Sequence, residues 1–457
     1  MKRLLPLLRA ACCAAALGAG VPRDAIAAAP TAQPSTEASA EAAMRADSSR
    51  YIVLAVDNPL RQVPSRAGSS LPAYGGTPRY VVGNQAATVL SAVAREHRLQ
   101  EVAAWPIVAL GLHCAVLALP EGRPRDAVLQ ALAQDRRVRL AQPLQDFALL
   151  GDAPGRDGAV AATTAASATT DSVASRYNDP YVSLQRGFAE IGALQAHRSS
   201  VGRDVPVAVV DTGLDSRHPD LQGRIAAQRD LVAAGAGVAP FDQDRHGTEV
   251  VGVIAAVANN GQGIVGIAPQ ARVSVYKACW YASAVRDAVA RCNSFTLAKA
   301  LAMVLESDAR IVNLSLGGPA DPLLDLLLQQ LLRQNRIVIA ALPPSGRREG
   351  FPAAMPGVIV VGSAGGTAPV AGVLMAPGRD VLTLVPGGRY DFASGSSIAA
   401  AHASGVAALL LAAGGPQDGA AMQTLLATAT APADKPASIN AEAALAQLAQ
   451  RARLAAR

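Results

Sequence analysis

From residue 51 the apolar positions fall into short runs and helical stripes, separated by turn-forming residues. Tyr51–Val56 predicts a strand. Ala86–Leu99 predicts a helix, with Val89, Leu90, Val93 and Ala94 on one face. Two more strand-like runs cover Val102–Ala109 and Leu112–Leu119. A second helix starts near Pro124 and runs through Ala133, and Val138–Leu150 is extended. The resulting order, β-α-β-β-α-β, is the split βαβ arrangement of a small α+β domain over residues 51–150.

After residue 177 strands and helices alternate, which predicts a mostly parallel sheet with helices on both faces. The buried strands are Val205–Val210, Val273–Lys277, Ile311–Leu314, Ile337–Ala341 and Val358–Val361. The helices are His246–Ala258, Leu297–Glu306, Leu323–Asn335 and Ser397–Ala412. In open α/β sheets, sites form at the carboxyl ends of strands. Asp211 follows its strand directly.

Composition refines this picture. With 457 residues, 51% of them hydrophobic, the chain can bury a large core and favours two folded units. The net charge of +6 is spread out, leaving no nucleic-acid footprint. Lys2, Arg3 and Arg9 precede an apolar stretch to about Val21, and small residues follow around Ala25–Ala29. Residues 1–29 therefore read as an export signal, too short for a membrane span. The product is expected to be secreted or periplasmic, with no transmembrane segment in the mature chain. Residues 30–50, rich in Ala, Thr, Ser and Pro, suggest disorder. Residues 151–176 read as a cleavable linker and 177–457 as the main domain. Export favours pairing of Cys279 with Cys292, 13 residues apart, over two separate thiols. Cys114 reads as a small core hydrophobe.

Three segments carry the chemistry. Asp211 ends the run Val-Pro-Val-Ala-Val-Val, His246 stands in Asp-Arg-His-Gly-Thr, and Ser397 stands in Ser-Gly-Ser-Ser-Ile-Ala. An acid orients an imidazole, which takes the proton of an attacking hydroxyl. The order Asp, His, Ser, with these flanking glycines, resembles the subtilisin-like serine proteases (subtilases, peptidase family S8) from about Tyr177 to Asn440. The resemblance implies a three-layer α/β fold with a mostly parallel central sheet. It also implies that residues 51–150 are an inhibitory propeptide, a ferredoxin-like prodomain of the inhibitor I9 kind. Asp215 and Asp220 lie past the turn, and His218 and His402 read as structural.

The resemblance assigns the substrate cleft as well. Ser315, Leu316, Gly317 and Gly318 would pair with substrate backbone and line the specificity pocket, with Ala340 and Ala341 as the facing wall. Asn178-Asp179-Pro180-Tyr181, Asp220 and the run Ala258–Ile264 resemble the family's calcium site. Asp179, Asp220 and Asn260 would supply side-chain oxygens, and Ala258, Gln262 and Ile264 carbonyls. The alternative is an ordinary set of turn residues. One position departs from the family: Pro344 stands where an asparagine donates to the oxyanion. Loss of such a donor costs about 10²–10³ in kcat. Ser345 or Arg347 is the expected substitute.

The expected function is a secreted serine endopeptidase acting through an acyl-enzyme. It would be made as a zymogen held by its own propeptide, be monomeric, need no cofactor for chemistry, and act on proteins or peptides. The alternative is a catalytically impaired relative that binds peptides or partners. A lipase or esterase fits less well, because the chain order differs and Ser397 lacks a Gly-x-Ser-x-Gly elbow.

Overall fold

A computed structural model of the chain describes residues 36–59, 83–151, 176–232, 238–281, 289–365, 370–429 and 438–455. The segment expected to be an export signal (1–29) and nearly all of the expected linker (152–175) lie outside the described residues.

The first unit begins with helix α1 (Thr36–Ala46). It continues through β1 (Tyr51–Asp57), α2 (Asn84–Glu96), β2 (Gln100–Ile107), β3 (Leu112–Ala118), α3 (Arg125–Ala133) and β4 (Val138–Pro143). The strands form a sheet of order β2-β3-β1-β4, antiparallel at each pairing between them. Strand alternation gives this sheet two apolar faces. Ile52, Leu54 and Val56 pack with Leu90, Val93, Val128 and Leu132 under α2 and α3. Val53 and Ala55, with Cys114 and Val116, face the other way into a cluster shared with the second unit.

Helix α1 corrects the expectation of disorder at residues 30–50. The Ala-rich composition that suggests low complexity is also the best helix former. Met44 buries its side chain, and Glu41 lies 3.9 Å from Lys299 of the second unit.

In the second unit, β6 (Pro206–Asp211), β7 (Ile225–Asp230), β8 (Arg272–Lys277) and β11 (Ile311–Leu314) join β13 (Ile337–Ala341), β14 (Ile359–Ser363) and β15 (Val373–Ala376). The order is β15-β14-β13-β11-β6-β8-β7, parallel throughout. β11 and β13 are buried at every position, as strands covered on both faces must be. Helices α4 (Arg245–Ala255) and α7 (Ser396–Ala412) cover one face. Helices α5 (Ser294–Leu305) and α6 (Pro322–Arg333) cover the other, and α6 shares its cluster with Val53 and Val116. The chain is therefore a three-layer α/β unit with a small α+β unit docked on it.

The two units also share a sheet. Strand β5 (Asp146–Leu149) lies antiparallel between β10 (Ala290–Asn293) and β12 (Leu316–Gly317), and β9 (Cys279–Tyr281) completes the order β12-β5-β10-β9.

Candidate active site

Three carboxyl-end positions converge. Asp211 is the last residue of β6 and is wholly buried. His246 and Ser397 are each the second residue of a helix, α4 and α7. His246 Nδ1 lies 2.8 Å from Asp211 Oδ1 and 3.0 Å from Oδ2. Asp211 Oδ1 also accepts the Thr212 N–H at 2.7 Å, which fixes the carboxylate toward the ring. The His246 N–H donates to the Tyr281 hydroxyl at 3.1 Å. Burial disfavours the imidazolium, but the Asp211 charge and hydrogen bond outweigh it and hold His246 above its usual pKa.

Among the described residues, His246 Nε2 and Ser397 Oγ are buried without hydrogen-bond partners. The chain's own Leu150–Gly151 segment lies over them. The Leu150 carbonyl accepts the Ser397 N–H at 3.2 Å, and the Leu150 N–H donates to Ser315 O at 3.0 Å. A Cβ on Gly151 would stand 3.3 Å from His246 Nε2 and 3.5 Å from Ser397 Oγ. Glycine is the side chain that leaves room here.

Side chains of the same segment fill two depressions. Leu150 lies over Gly317, where a Cβ would come within 3.2 Å of its Cδ1. Phe147 lies over Gly318, where a Cβ would come within 2.3 Å of the ring, and stacks edge-on with Phe351 at 5.7 Å. Leu316 and Gly317 pair with Leu149 and Ala148. Ala340 and Ala341 are buried on opposite faces of β13. The cluster of Ala340 takes in Phe147 and Leu149, whereas Ala341 packs with α7. Strand alternation thus removes Ala341 from the wall expected at the cleft.

The loop after β13 is corrected too. Pro344 and Ser345 are exposed. The Arg347 side chain is 78% exposed and pairs with Glu349 at 3.1 Å, so it is no oxyanion donor. The Ser396 hydroxyl lies 3.5 Å from the Leu150 carbonyl oxygen and donates to Leu342 O at 2.7 Å. By resemblance Ser396 fills the place of the family's threonine, and the sequence gives no sign that its hydroxyl lies this close to the Leu150 carbonyl.

The remaining histidines and acids have structural partners. Asp215 accepts the Arg217 and Gly387 N–H groups. His218 Nδ1 accepts the Asp220 N–H, and His402 Nδ1 lies 3.0 Å from Ile398 O. Cys279 and Cys292, opposite each other on β9 and β10, form a disulfide, and Cys114 is free and buried.

Asp179 accepts the Asn259 and Asn260 N–H groups at 2.8 and 3.3 Å. Asp220 accepts the Ile264 N–H at 3.0 Å and Asn260 Nδ2 at 2.7 Å. Both carboxylates are buried, and burial raises both pKa values; the Asp220 charge adds to the rise at Asp179. Neither has a lysine or arginine beside it among the described residues. Two buried carboxylates without a lysine or arginine beside them, with His218 the ring nearest Asp220 in the chain, fit a hard cation. No third acidic, His or Cys side chain joins them among the described residues, so further ligands would be amide and carbonyl oxygens.

The sequence profile of the subtilase family, peptidase S8, matches residues 202–444, more than half of the chain. The chain belongs to the subtilase family. This subtilase is 35% identical over 230 residues to the thermophilic serine proteinase of Bacillus sp. (strain AK1), covering 48% of this chain and 54% of that one. It thus spans about half of that relative's length. It is 32% identical over 252 residues to thermitase of Thermoactinomyces vulgaris, covering 52% of this chain and 86% of thermitase. Its fold matches the crystal structure of fervidolysin from Fervidobacterium pennivorans, a keratinolytic enzyme related to subtilisin. The TM-score is 0.64 at 22% identity, over 87% of this chain and 60% of that one. That span takes in the first unit of the subtilase as well as the second.

Proposed function

We propose that this subtilase is an exported serine endopeptidase, made as a zymogen that cuts its own Leu150–Gly151 bond. The observation that carries the reading is the placement of that bond over the triad, with Leu150 O on the Ser397 N–H. His246 Nε2 takes the Ser397 hydroxyl proton as Oγ attacks the Leu150 carbonyl carbon. Asp211 steadies the imidazolium. The oxyanion is held by the Ser397 N–H at the N-terminus of α7 and by a turn of the Ser396 hydroxyl. His246 then protonates the departing Gly151 nitrogen, and water hydrolyses the acyl-enzyme.

The same geometry supports a substrate class. A protein or peptide would bind as an extended strand between β10 and β12, through main-chain hydrogen bonds. It would carry a leucine-sized apolar residue before the cut and an aromatic one three residues earlier, as Leu150 and Phe147 do. Residues 36–150 would remain as an inhibitor after the cut. The apolar segment behind Lys2, Arg3 and Arg9 supports export of the precursor. No helix among the described residues is long and apolar enough to cross a membrane.

The test is expression of the full precursor beside Ser397→Ala, with N-terminal sequencing of the products. A wild-type product beginning at Gly151, absent from the variant, is expected. Equal processing of both, or a first cut deep in the linker, overturns the reading. For calcium, held by Asp179 and Asp220 as a structural cross-link, with Asn260 joining only if its amide turns from Asp220, a chelator should lower the melting temperature and added calcium restore it. An unchanged melting temperature overturns that assignment.

A further inference from the structure

A second charged pair lies beneath the triad. Lys277 and Asp244 are both wholly buried, with Nζ and Oδ2 2.5 Å apart. Lys277 is the last residue of β8, in register with Asp211 of β6, and its Nζ also donates to Ala239 O at 2.8 Å. Asp244 stands two residues before His246. Its Oδ2 accepts the Gly213 N–H at 2.9 Å, in the turn that follows Asp211. A Cβ on Gly213 would come within 2.8 Å of that oxygen and 2.3 Å of Phe241 O, so the turn sits tight against the segment leading into α4. From the other side, the Gly247 N–H donates to Thr212 Oγ1 at 2.9 Å. One carboxylate thus joins the strand end bearing the acid to the helix start bearing the base.

Burying two charges costs several kcal/mol per ion, and apolar residues of the same volume often serve a fold equally well. The location offers a reason for keeping them. The charged and titratable groups around His246 are Asp211, Asp244, Lys277, Glu249, Arg245 and the Tyr281 hydroxyl. Arg245 lies 2.5 Å from Glu249 and 3.0 Å from Asp391. With Lys277 balancing Asp244 and Arg245 pairing with Glu249, Asp211 is the main charge that the imidazole meets, and Glu249 adds to it.

We propose that Asp244 and Lys277 are a positioning pair for the triad. Asp244 pins the Gly213 turn so that the Asp211 carboxylate faces His246 Nδ1, and Lys277 cancels the charge this anchor brings. Burial pushes the Asp244 carboxyl up to about 6, against the pull of Lys277 and the Gly213 N–H. The inference rests on the endopeptidase reading, and its test separates the two.

The variants are D244N, the double K277M/D244N, and the double K277M/D244L, each as the full chain. D244N keeps a hydrogen-bond acceptor but leaves Lys277 unbalanced, so the acid limb of kcat/KM should move to lower pH by about half a unit or more. K277M/D244N restores neutrality and should return the limb to its wild-type position, with kcat within about threefold. K277M/D244L is equally neutral but cannot accept from Gly213, and should lose at least about tenfold in kcat with KM unchanged. A D244N limb at the wild-type pH overturns the charge-balancing role. Equal kcat in the two doubles overturns the anchoring role. The doubles carry no unpaired buried charge, so they keep the test alive if D244N fails to fold. The His246 Nδ1–H resonance is titrated by proton NMR in the same variants combined with Ser397→Ala. That readout needs no turnover. An inactive wild type with the NMR shifts intact would remove the endopeptidase reading and leave the positioning pair standing.

Discussion

Ser396 shows how much rests on a single hydroxyl. With proline at position 344, Ser396 Oγ, 3.5 Å from Leu150 O, is the side-chain donor that the proposed mechanism uses. Ser396→Ala should therefore lower kcat by about 10²-fold with little change in KM, and Ser396→Thr should retain most activity, as read by steady-state kinetics on a peptide ester. Small losses in Ser396→Ala would mean that the Ser397 N–H acts alone. The convergence of Asp211, His246 and Ser397 was legible from their motifs, because each stands beside a small residue that lets its neighbours come close. The departure from the family at Pro344 was legible in the same way. The closeness of Ser396 to Leu150 was not, since the two stand 246 residues apart in the chain. Ser345 and Arg347 are nearer to Pro344 in sequence but turn to solvent, as short exposed loops do.

Among the elements, buried strands were the easiest to read. β6, β8, β11 and β13 are unbroken apolar runs that end on turn residues. Short β5 falls within one extended stretch in the sequence, Val138–Leu150, because neither its composition nor its length says which sheet it joins. Its partner β10 carries Cys292, tied to Cys279 on β9 two residues before Tyr281. One covalent bond thus fixes both a wall of the cleft and the hydroxyl under the His246 amide. Cys279→Ser with Cys292→Ser should cost about 3 kcal/mol of stability for a loop of this length, measured by denaturant unfolding. It should also raise KM more for long peptides that pair with β10 than for short esters that do not. A uniform effect on both substrates would mean that the bond stabilises the fold without shaping the cleft.

For the whole molecule, acid should be destabilising well above the range where carboxylates titrate. Burial pushes His197 and His402 down to about 4. In the unfolded chain each would titrate near 6.5, so the unfolded state binds more protons between these values. The stability they contribute is complete above about pH 6.5 and is lost as pH falls toward 4, on the order of 3 kcal/mol for each. Urea unfolding between pH 7 and 4 should show the decline, and His402→Gln should flatten part of it. A stability constant to pH 5 would contradict these burials. The fold class was legible at this scale because strand–helix alternation leaves few topologies. The docking of the two units was not, because the apolar run of β1 does not reveal that its residues serve two cores. Val53 and Ala55 belong to the shared cluster, and Ile52, Leu54 and Val56 to the first unit's own. Cutting the chain at Leu150 leaves both faces covered. Departure of the first unit would open the face of Val53, Ala55, Cys114 and Val116 to water, along with the buried side of α1 at Met44. On the proposed reading, a freed unit with this apolar face open would be a ready substrate for the peptidase it leaves, and activation would run one way.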